Sequence, residues 1–308
     1  MVERIELTFL GTGSAIPTKR RNHPAMFLKY KNENILIDCG EGTQRQFRKA
    51  LLNPQKITKI LITHWHGDHT LGIPGLLQTM IMNKRGEKLD IYGPKGTKRK
   101  LKEMMDVFMG WYLESIGRSF DIVAHEVEEG VVFDDGDFFV EAIRVDHDVP
   151  AVAYSFTVRE QNRIDKDKLL KLKIPNSPLI GELSKGKTVT IDGKKIDGKK
   201  LMYKEEARKI GIVMDTRYSE DIVGFVKGAD LLVIEATHSR EEQEIALEYG
   251  HMTSVDSATV GKKAKVKALA LVHLSQRYEG IPKMILKEAE GVFGKGVVVP
   301  EDLDRVEL

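Results

Sequence analysis

A chain of 308 residues with 41% hydrophobic and 31% charged side chains suits one large α/β domain or two small ones, with a core of useful size. The net charge of +2 names no partner. The single cysteine, Cys39, excludes an internal disulfide and any zinc–thiolate cluster, and no apolar run approaches the roughly 20 residues of a membrane span. A soluble protein of the reducing cytoplasm, with no membrane partner, is therefore expected.

Short apolar runs alternate with helix-like stretches for most of the length. Strands are expected at 5–11 (IELTFLG), 25–30 (AMFLKY) and 34–40 (NILIDCG), and a helix at 42–52. The run 57–63 (ITKILIT) reads as a strand that ends on HWHGDH, with a helix at 71–82 behind it. A strand at 89–93 and a helix at 97–109 come next, then strands near 121–127, 131–133, 138–145 and 151–158. The pattern breaks over 161–200, where 11 Lys/Arg face 5 Asp/Glu, aromatic residues are absent and IDGKK occurs twice in tandem. That segment carries +6 and the rest of the chain −4, so it reads as a basic arm, about 161–203, inserted into a single domain spanning 1–308. Alternation resumes with strands at 209–216 and 230–237, helices at 240–249 and 254–264, a strand at 266–273, a helix at 282–293 and a last strand at 296–300.

Three of the nine histidines fall within six positions, His64, His66 and His69, with Asp68 among them. Imidazole and carboxylate donors suit zinc, and also manganese or iron. A loop after a strand can turn His64 and His66 to one side and Asp68 and His69 to the other, which serves two adjacent ions. Four ligands do not fill two sites. His147, Asp215 and His273 each follow an apolar strand, where an α/β site needs further donors, and the two oxygens of Asp215 can bridge both ions.

HxHxDH with a later His, Asp and His resembles the metallo-β-lactamase superfamily, which implies a four-layer αββα sandwich. PTKRRN (17–22) resembles the PxKxRN loop of the tRNase Z family within it, and DCGEGTQRQ (38–46) is similar to a segment of the same family. The basic insert resembles that family's flexible arm, which grips the tRNA elbow. The resemblance implies one zinc on His64, His66 and His147, a second on Asp68, His69 and His273, and Asp215 between them. It also implies precursor tRNA as substrate and a homodimer in which one subunit's arm serves the other's active site. IEATH (234–238) and GHMTS (250–254) resemble the family's HEAT and HST segments, with Ile234 and Met252 as departures.

The chemistry this implies is hydrolysis of a phosphodiester, with two metals about 3.5–4 Å apart stabilising an in-line displacement at phosphorus. Asp68 is the candidate base for the attacking water. His251, oriented by Glu235, is the candidate acid for the departing ribose oxygen. Lys19, Arg20, Arg21 and Asn22 form a donor-rich loop suited to clamping phosphate near the RNA 3′ end. The expected reaction removes the 3′ trailer of precursor tRNA and leaves a 3′-hydroxyl. The competing readings are a hydrolase of the same fold acting on a small phosphodiester or sulfate ester, and a non-enzymatic RNA-binding protein that keeps metals for stability.

Overall fold

The computed structural model describes residues 3–116, 120–174, 176–191 and 193–308. In chain order, β1 (Ile5–Gly11), β2 (Ala25–Tyr30), β3 (Glu33–Ile37), β4 (Lys59–Leu61), β5 (Leu89–Gly93) and β6 (Ile122–Glu126) build a first sheet. The second begins with β7 (Gly130–Asp134), β8 (Phe138–Val145) and β9 (Ala151–Val158). An insertion holding β10 (Gln161–Ile164), β11 (Thr188–Ile191), β12 (Lys194–Asp197) and β13 (Met202–Glu205) interrupts it. The sheet is completed by β14 (Arg208–Val213), β15 (Leu231–Glu235), β16 (Leu269–Val272) and β17 (Val297–Val298), and β18 (Arg305–Glu307) returns to the edge of the first. The spatial orders are β18-β1-β2-β3-β4-β5-β6 and β17-β16-β15-β14-β9-β8-β7.

Strand periodicity sorts the side chains into layers. On β15, Leu231 and Val233 enter a core between the two sheets, while Leu232 and Ile234 face a separate outer core. On β9, Val152, Tyr154, Phe156 and Val158 face inward and Ala153 outward. Tyr30, Phe138 and Phe156 pack the central layer with ring centroids 5.0–5.8 Å apart. Four helices follow strands of the first sheet: α1 (Thr43–Lys49), α2 (Gly67–Thr70), α3 (Ile73–Met82) and α4 (Thr97–Ile116). Phe47 of α1, Leu76 and Leu77 of α3 and Leu101 of α4 pack on its outer face. The insertion holds α5 (Lys166–Lys171) and α6 (Leu179–Ser184). The other sheet is covered by α7 (Glu220–Phe225), α9 (Ser254–Ala264) and α10 (Pro282–Phe293), with α8 (Gln243–Glu248) ahead of α9. The result is the four-layer αββα sandwich.

Several boundaries differ from expectation at the same edge of the sandwich. β3 stops at Ile37 because Asp38 takes φ 56°, and β16 stops at Val272 because His273 takes φ 59°. Both residues leave the strand direction through the left-handed region, a costly conformation that tertiary contacts hold. Asp68 and His69 lie on the one-turn helix α2 rather than in a loop. Helix α4 runs on to Ile116, and β18 was not foreseen.

The inserted segment is folded. β10 pairs with β13 and β11 with β12, both antiparallel, and Leu169, Ile174, Leu183 and Leu201 form a small core of their own. Burying those scattered aliphatics leaves the lysines outside: Lys166, Lys171, Lys194, Lys195, Lys199 and Lys200 are all exposed.

Candidate metal centre

The parallel strands β14, β15 and β16 deliver Asp215, Glu235 and His273 to one end of the second sheet. His147 follows β8 at that end. An isolated bridge from His64 to Ala151, with the Val152 N–H donating to the Thr63 carbonyl at 2.9 Å, brings the histidine cluster of the first sheet across to it. Ligand sites at the carboxyl ends of parallel strands are the general rule for α/β sheets.

Two donor groups meet here. The ligand atoms of His64, His66, His147 and Asp215 lie within 4.8 Å of one another, and so do those of Asp68, His69, Asp215 and His273. The Asp215 carboxylate divides them. Its Oδ2 faces His64 Nε2 at 3.6 Å and His147 Nε2 at 4.0 Å. Its Oδ1 faces His273 Nε2 at 3.3 Å and His69 Nε2 at 3.4 Å. Asp68 Oδ2 closes the second group, 3.4 Å from His69 Nε2 and 3.5 Å from His273 Nε2.

The outer partners fix the tautomers. His69 Nδ1 donates to Asp38 Oδ2 at 2.8 Å, and His147 Nδ1 to the Gly250 carbonyl at 3.0 Å. Because the Thr63 hydroxyl donates to Asp38 Oδ2 at 2.8 Å, it accepts from His64 Nδ1 at 3.2 Å. Because the Thr237 hydroxyl donates to Glu235 Oε2 at 2.5 Å, it accepts from His273 Nδ1 at 2.8 Å. Four imidazoles thus turn Nε2 toward Asp215, the arrangement that fits a cation. His64 Nε2 and Asp215 Oδ1 are buried without a hydrogen-bond partner. Each such atom costs about 1–3 kcal/mol left unpaired, and a cation satisfies both. No thiolate competes: burial pushes the Cys39 thiol up to about 12.

The electrostatics agree with that fit. Burial, and then the neighbouring His69, hold the His64 pKa well below its ordinary value and favour the neutral ligand form. Burial raises the carboxyls of Asp68 and Asp215, but the His69 and His273 imidazoles outweigh it and hold both well below the usual range. Burial also opposes charge on His69. The Asp215, Asp38 and Asp68 carboxylates overcome it and push that imidazole well up. The same negative field favours a divalent cation.

Beside the donors lies a second pair. His251 Nδ1 faces Glu235 Oε1 at 3.1 Å, and the Thr216 N–H donates to that oxygen at 2.8 Å. Burial raises the Glu235 carboxyl, yet His251 more than offsets it and holds it below its ordinary value. Glu235 points to the site because Ile234, one residue earlier, points to the outer core, where it is fully buried. Thr253 caps α9 in a capping box with Asp256, which fixes the chain two residues after His251. His66, Asp68, His147, Asp215, His251 and His273 open on a cleft of about 440 Å³.

Asp38, Thr63 and Gly250 are the residues that sequence reasoning gave no role. Asp38 had one available signal, its place at the end of an apolar strand. Gly250 has φ 70°, and a Cβ there would stand 2.8 Å from His147 Nδ1 and 3.2 Å from Asp148 Oδ1. Gly250→Ala is therefore expected to push His147 out of line and weaken divalent-cation binding about 10- to 100-fold, the usual cost of a lost outer partner. Calorimetric titration of metal into the stripped variant reads this, and wild-type affinity would refute it.

The 17–22 loop divides into two parts. Arg21 is buried, donating to Thr12 Oγ1 at 2.6 Å and to the Pro300 carbonyl at 2.7 Å. The Asn22 N–H donates to Asp302 Oδ2 at 2.8 Å and its Nδ2 to the Glu41 carbonyl at 2.7 Å. Lys19 and Arg20 are exposed, with the Arg20 N–H held by Glu279 at 3.0 Å. The remaining histidines lie outside the two donor groups. His23 faces the Ala15 carbonyl at 3.2 Å, His125 pairs with Asp90 at 2.8 Å, and His238 faces Glu242 at 3.1 Å.

The sandwich and its strand-end donors define a metallo-β-lactamase-fold protein. The Bacillus subtilis metallo-β-lactamase fold protein YhfI superposes with a TM-score of 0.72 over all of both chains, at 17% identity. Human tRNase Z, short form, superposes with a TM-score of 0.69 at 29% identity, covering 98% of each chain. The family model described as Anti-Pycsar protein Apyc1 matches residues 5–175, which leaves Asp215, Glu235, His251 and His273 outside the match. The Ribonuclease Z of Methanothermobacter thermautotrophicus is 39% identical over 99% of this chain and 97% of its own. The chain belongs to the ribonuclease Z family. Among the described residues no helix is long and apolar enough to cross a membrane.

Proposed function

We propose that this chain is a divalent-metal endoribonuclease of the cytoplasm that cuts precursor tRNA at its 3′ end, releasing the trailer and leaving a 3′-hydroxyl on the tRNA. The observation that carries the reading is the Asp215 carboxylate, one oxygen facing each donor group, beside the Glu235–His251 pair. His64, His66 and His147 with Asp215 Oδ2 would hold one ion, and Asp68, His69 and His273 with Oδ1 the other. Two zinc ions, or manganese with the same donors, supply Lewis-acid charge neutralisation for a phosphodiester when bound there.

The chain's own groups do the rest. Asp68 orients the attacking water and takes its proton. His251 gives a proton to the departing ribose 3′-oxygen, and Glu235 keeps the ring charged and aimed. Thr237 ties the acid to the metal shell, since its hydroxyl touches both Glu235 and His273. Lys19 and Arg20 are the side chains of their loop offered to a phosphate, while Arg21 and Asn22 hold the loop's shape. The homodimer is carried over from the family resemblance, and exposed Met82, Val107 and Phe108 on α3 and α4 supply apolar surface for it.

We assign the arm to folded RNA, recognised through its backbone. Removing residues 165–200 is expected to weaken cleavage of precursor tRNA and reduce its salt dependence. Hydrolysis of a small chromogenic phosphodiester should be spared. Steady-state kinetics on both substrates check this. Unchanged tRNA kinetics would make the arm a bystander and favour the small-ester hydrolase. The reading as a whole is tested by mapping the cut that the purified protein makes in a precursor tRNA with a labelled 3′ trailer. A single cut at the tRNA–trailer junction supports it, and an intact precursor overturns it.

A further inference from the structure

The cleft beside the donor groups is polar at its floor, yet its walls carry bare apolar surface. Tyr249, at the C-terminal end of α8, lines it with 56% of its surface exposed, and Ile16, on the loop after β1, lines it at 51%. Ile245, one turn before Tyr249, adds a half-buried flank. Exposed apolar side chains are common on a protein surface, but Tyr249, Ile245 and Ile16 line the cleft that holds the donor groups, where a bound ligand would cover them. Tyr249 lies two residues before His251, so their Cα atoms are at most about 7 Å apart. The intervening Gly250 is pinned, its carbonyl accepting from His147 and the Leu247 carbonyl accepting from Arg217 Nε at 3.0 Å. The backbone leading from Tyr249 to His251 is thus fixed, and both side chains line the same cleft.

We propose that Tyr249, flanked by Ile245 and Ile16, is a stacking site for the nucleobase next to the scissile phosphate. This rests on the ribonuclease reading above. A base has two flat faces and a short tether to its phosphate, and an exposed tyrosine ring that lines the same cleft as His251, two residues along the chain from it, suits both. Stacking accepts any base, so the site positions the strand without choosing a sequence. Tyr249 is accordingly a substrate-positioning residue, and the chemistry stays with the groups on the cleft floor. The arrangement also separates tasks along the RNA: exposed lysines of the arm meet the folded body, and Tyr249 holds the single strand at the cut.

The test uses full-length protein and precursor tRNAs that are intact or carry one abasic nucleotide immediately 5′ or 3′ of the cut. Base–aromatic stacking is worth about 5- to 150-fold. Tyr249→Ala should lower kcat/KM on the intact precursor within that range, and Tyr249→Phe should restore it. One of the two abasic precursors should lose the same factor with the wild-type protein and lose nothing more with Tyr249→Ala. Metal content should be unchanged in both variants. Equal losses on intact and abasic precursors, or a Phe variant as poor as Ala, would overturn the stacking site while leaving the ribonuclease reading intact. A wild-type protein that leaves every precursor uncut would remove both.

Discussion

His251→Ala is expected to slow cleavage of precursor tRNA about 10²–10⁴-fold, the usual worth of a general acid, and to leave hydrolysis of a bis-nitrophenyl phosphodiester far less affected. A ribose 3′-oxygen leaves poorly without a proton, whereas nitrophenolate is stable as an anion. Burial favours the neutral ring of His251, but the Glu235 carboxylate outweighs it and pushes the pKa up to about 9. In the proposed role as acid the working form is the protonated one, present below that value and lost as pH rises through it. Cations held at Asp215, whose Oδ2 lies 3.9 Å from His251 Nδ1, would add positive charge, so the alkaline limb of the tRNA rate is expected at or below about 9. Glu235→Gln removes the group that raises the pKa and leaves the burial that lowers it. Its alkaline limb should move to lower pH, and its loss on tRNA should be smaller than that of His251→Ala. Asp68→Ala is the control, expected to impair both substrates alike. Equal losses on both substrates for His251→Ala, or an unmoved limb in Glu235→Gln, would take the proton donor away from this pair.

Asp215→Ala is expected to lose more metal than any single histidine variant and to fall beyond the 10- to 100-fold that an outer partner costs. The reason is geometric. Of the two groups that meet at Asp215, each histidine belongs to one, while the two oxygens of Asp215 serve both. Asp215→Asn keeps the shape, loses the charge that draws cations, and separates an electrostatic loss from a packing one. Elemental analysis of the purified variants gives the count per chain. A variant that kept two ions would show that the two donor groups stand without their shared carboxylate.

Much of the candidate site was legible because its side chains sit at strand ends. His64, His66, Asp68 and His69 stand out by clustering, and His147, Asp215 and His273 by following apolar runs, and the fold brings all seven together. Ile234 was legible only as a departure from HEAT; the alternation of β15 explains why an outward core position accepts isoleucine there. What sequence did not carry was the outer layer. The strand-end position of Asp38 does not reveal His69 as its partner, because the contact spans 31 residues and depends on Asp38 leaving β3 with positive φ. Arg21 and Asn22 look like free donors in a basic run, yet the C-terminal segment, with Pro300 and Asp302, claims them. The arm reads as lysines and glycines because its small core is spread over single aliphatics more than 30 residues apart, Leu169 to Leu201.

The account stands on water attacking phosphorus while the ribose 3′-oxygen leaves with a proton from His251. Single-turnover cleavage of precursor tRNA in ¹⁸O-water, followed by mass spectrometry of both fragments, tests that directly. One ¹⁸O atom should appear in a 5′-phosphate on the trailer, and the tRNA should end in an unlabelled 3′-hydroxyl. A 2′,3′-cyclic phosphate on the tRNA, or label on its 3′ end, would place the attack or the leaving group elsewhere and contradict the account.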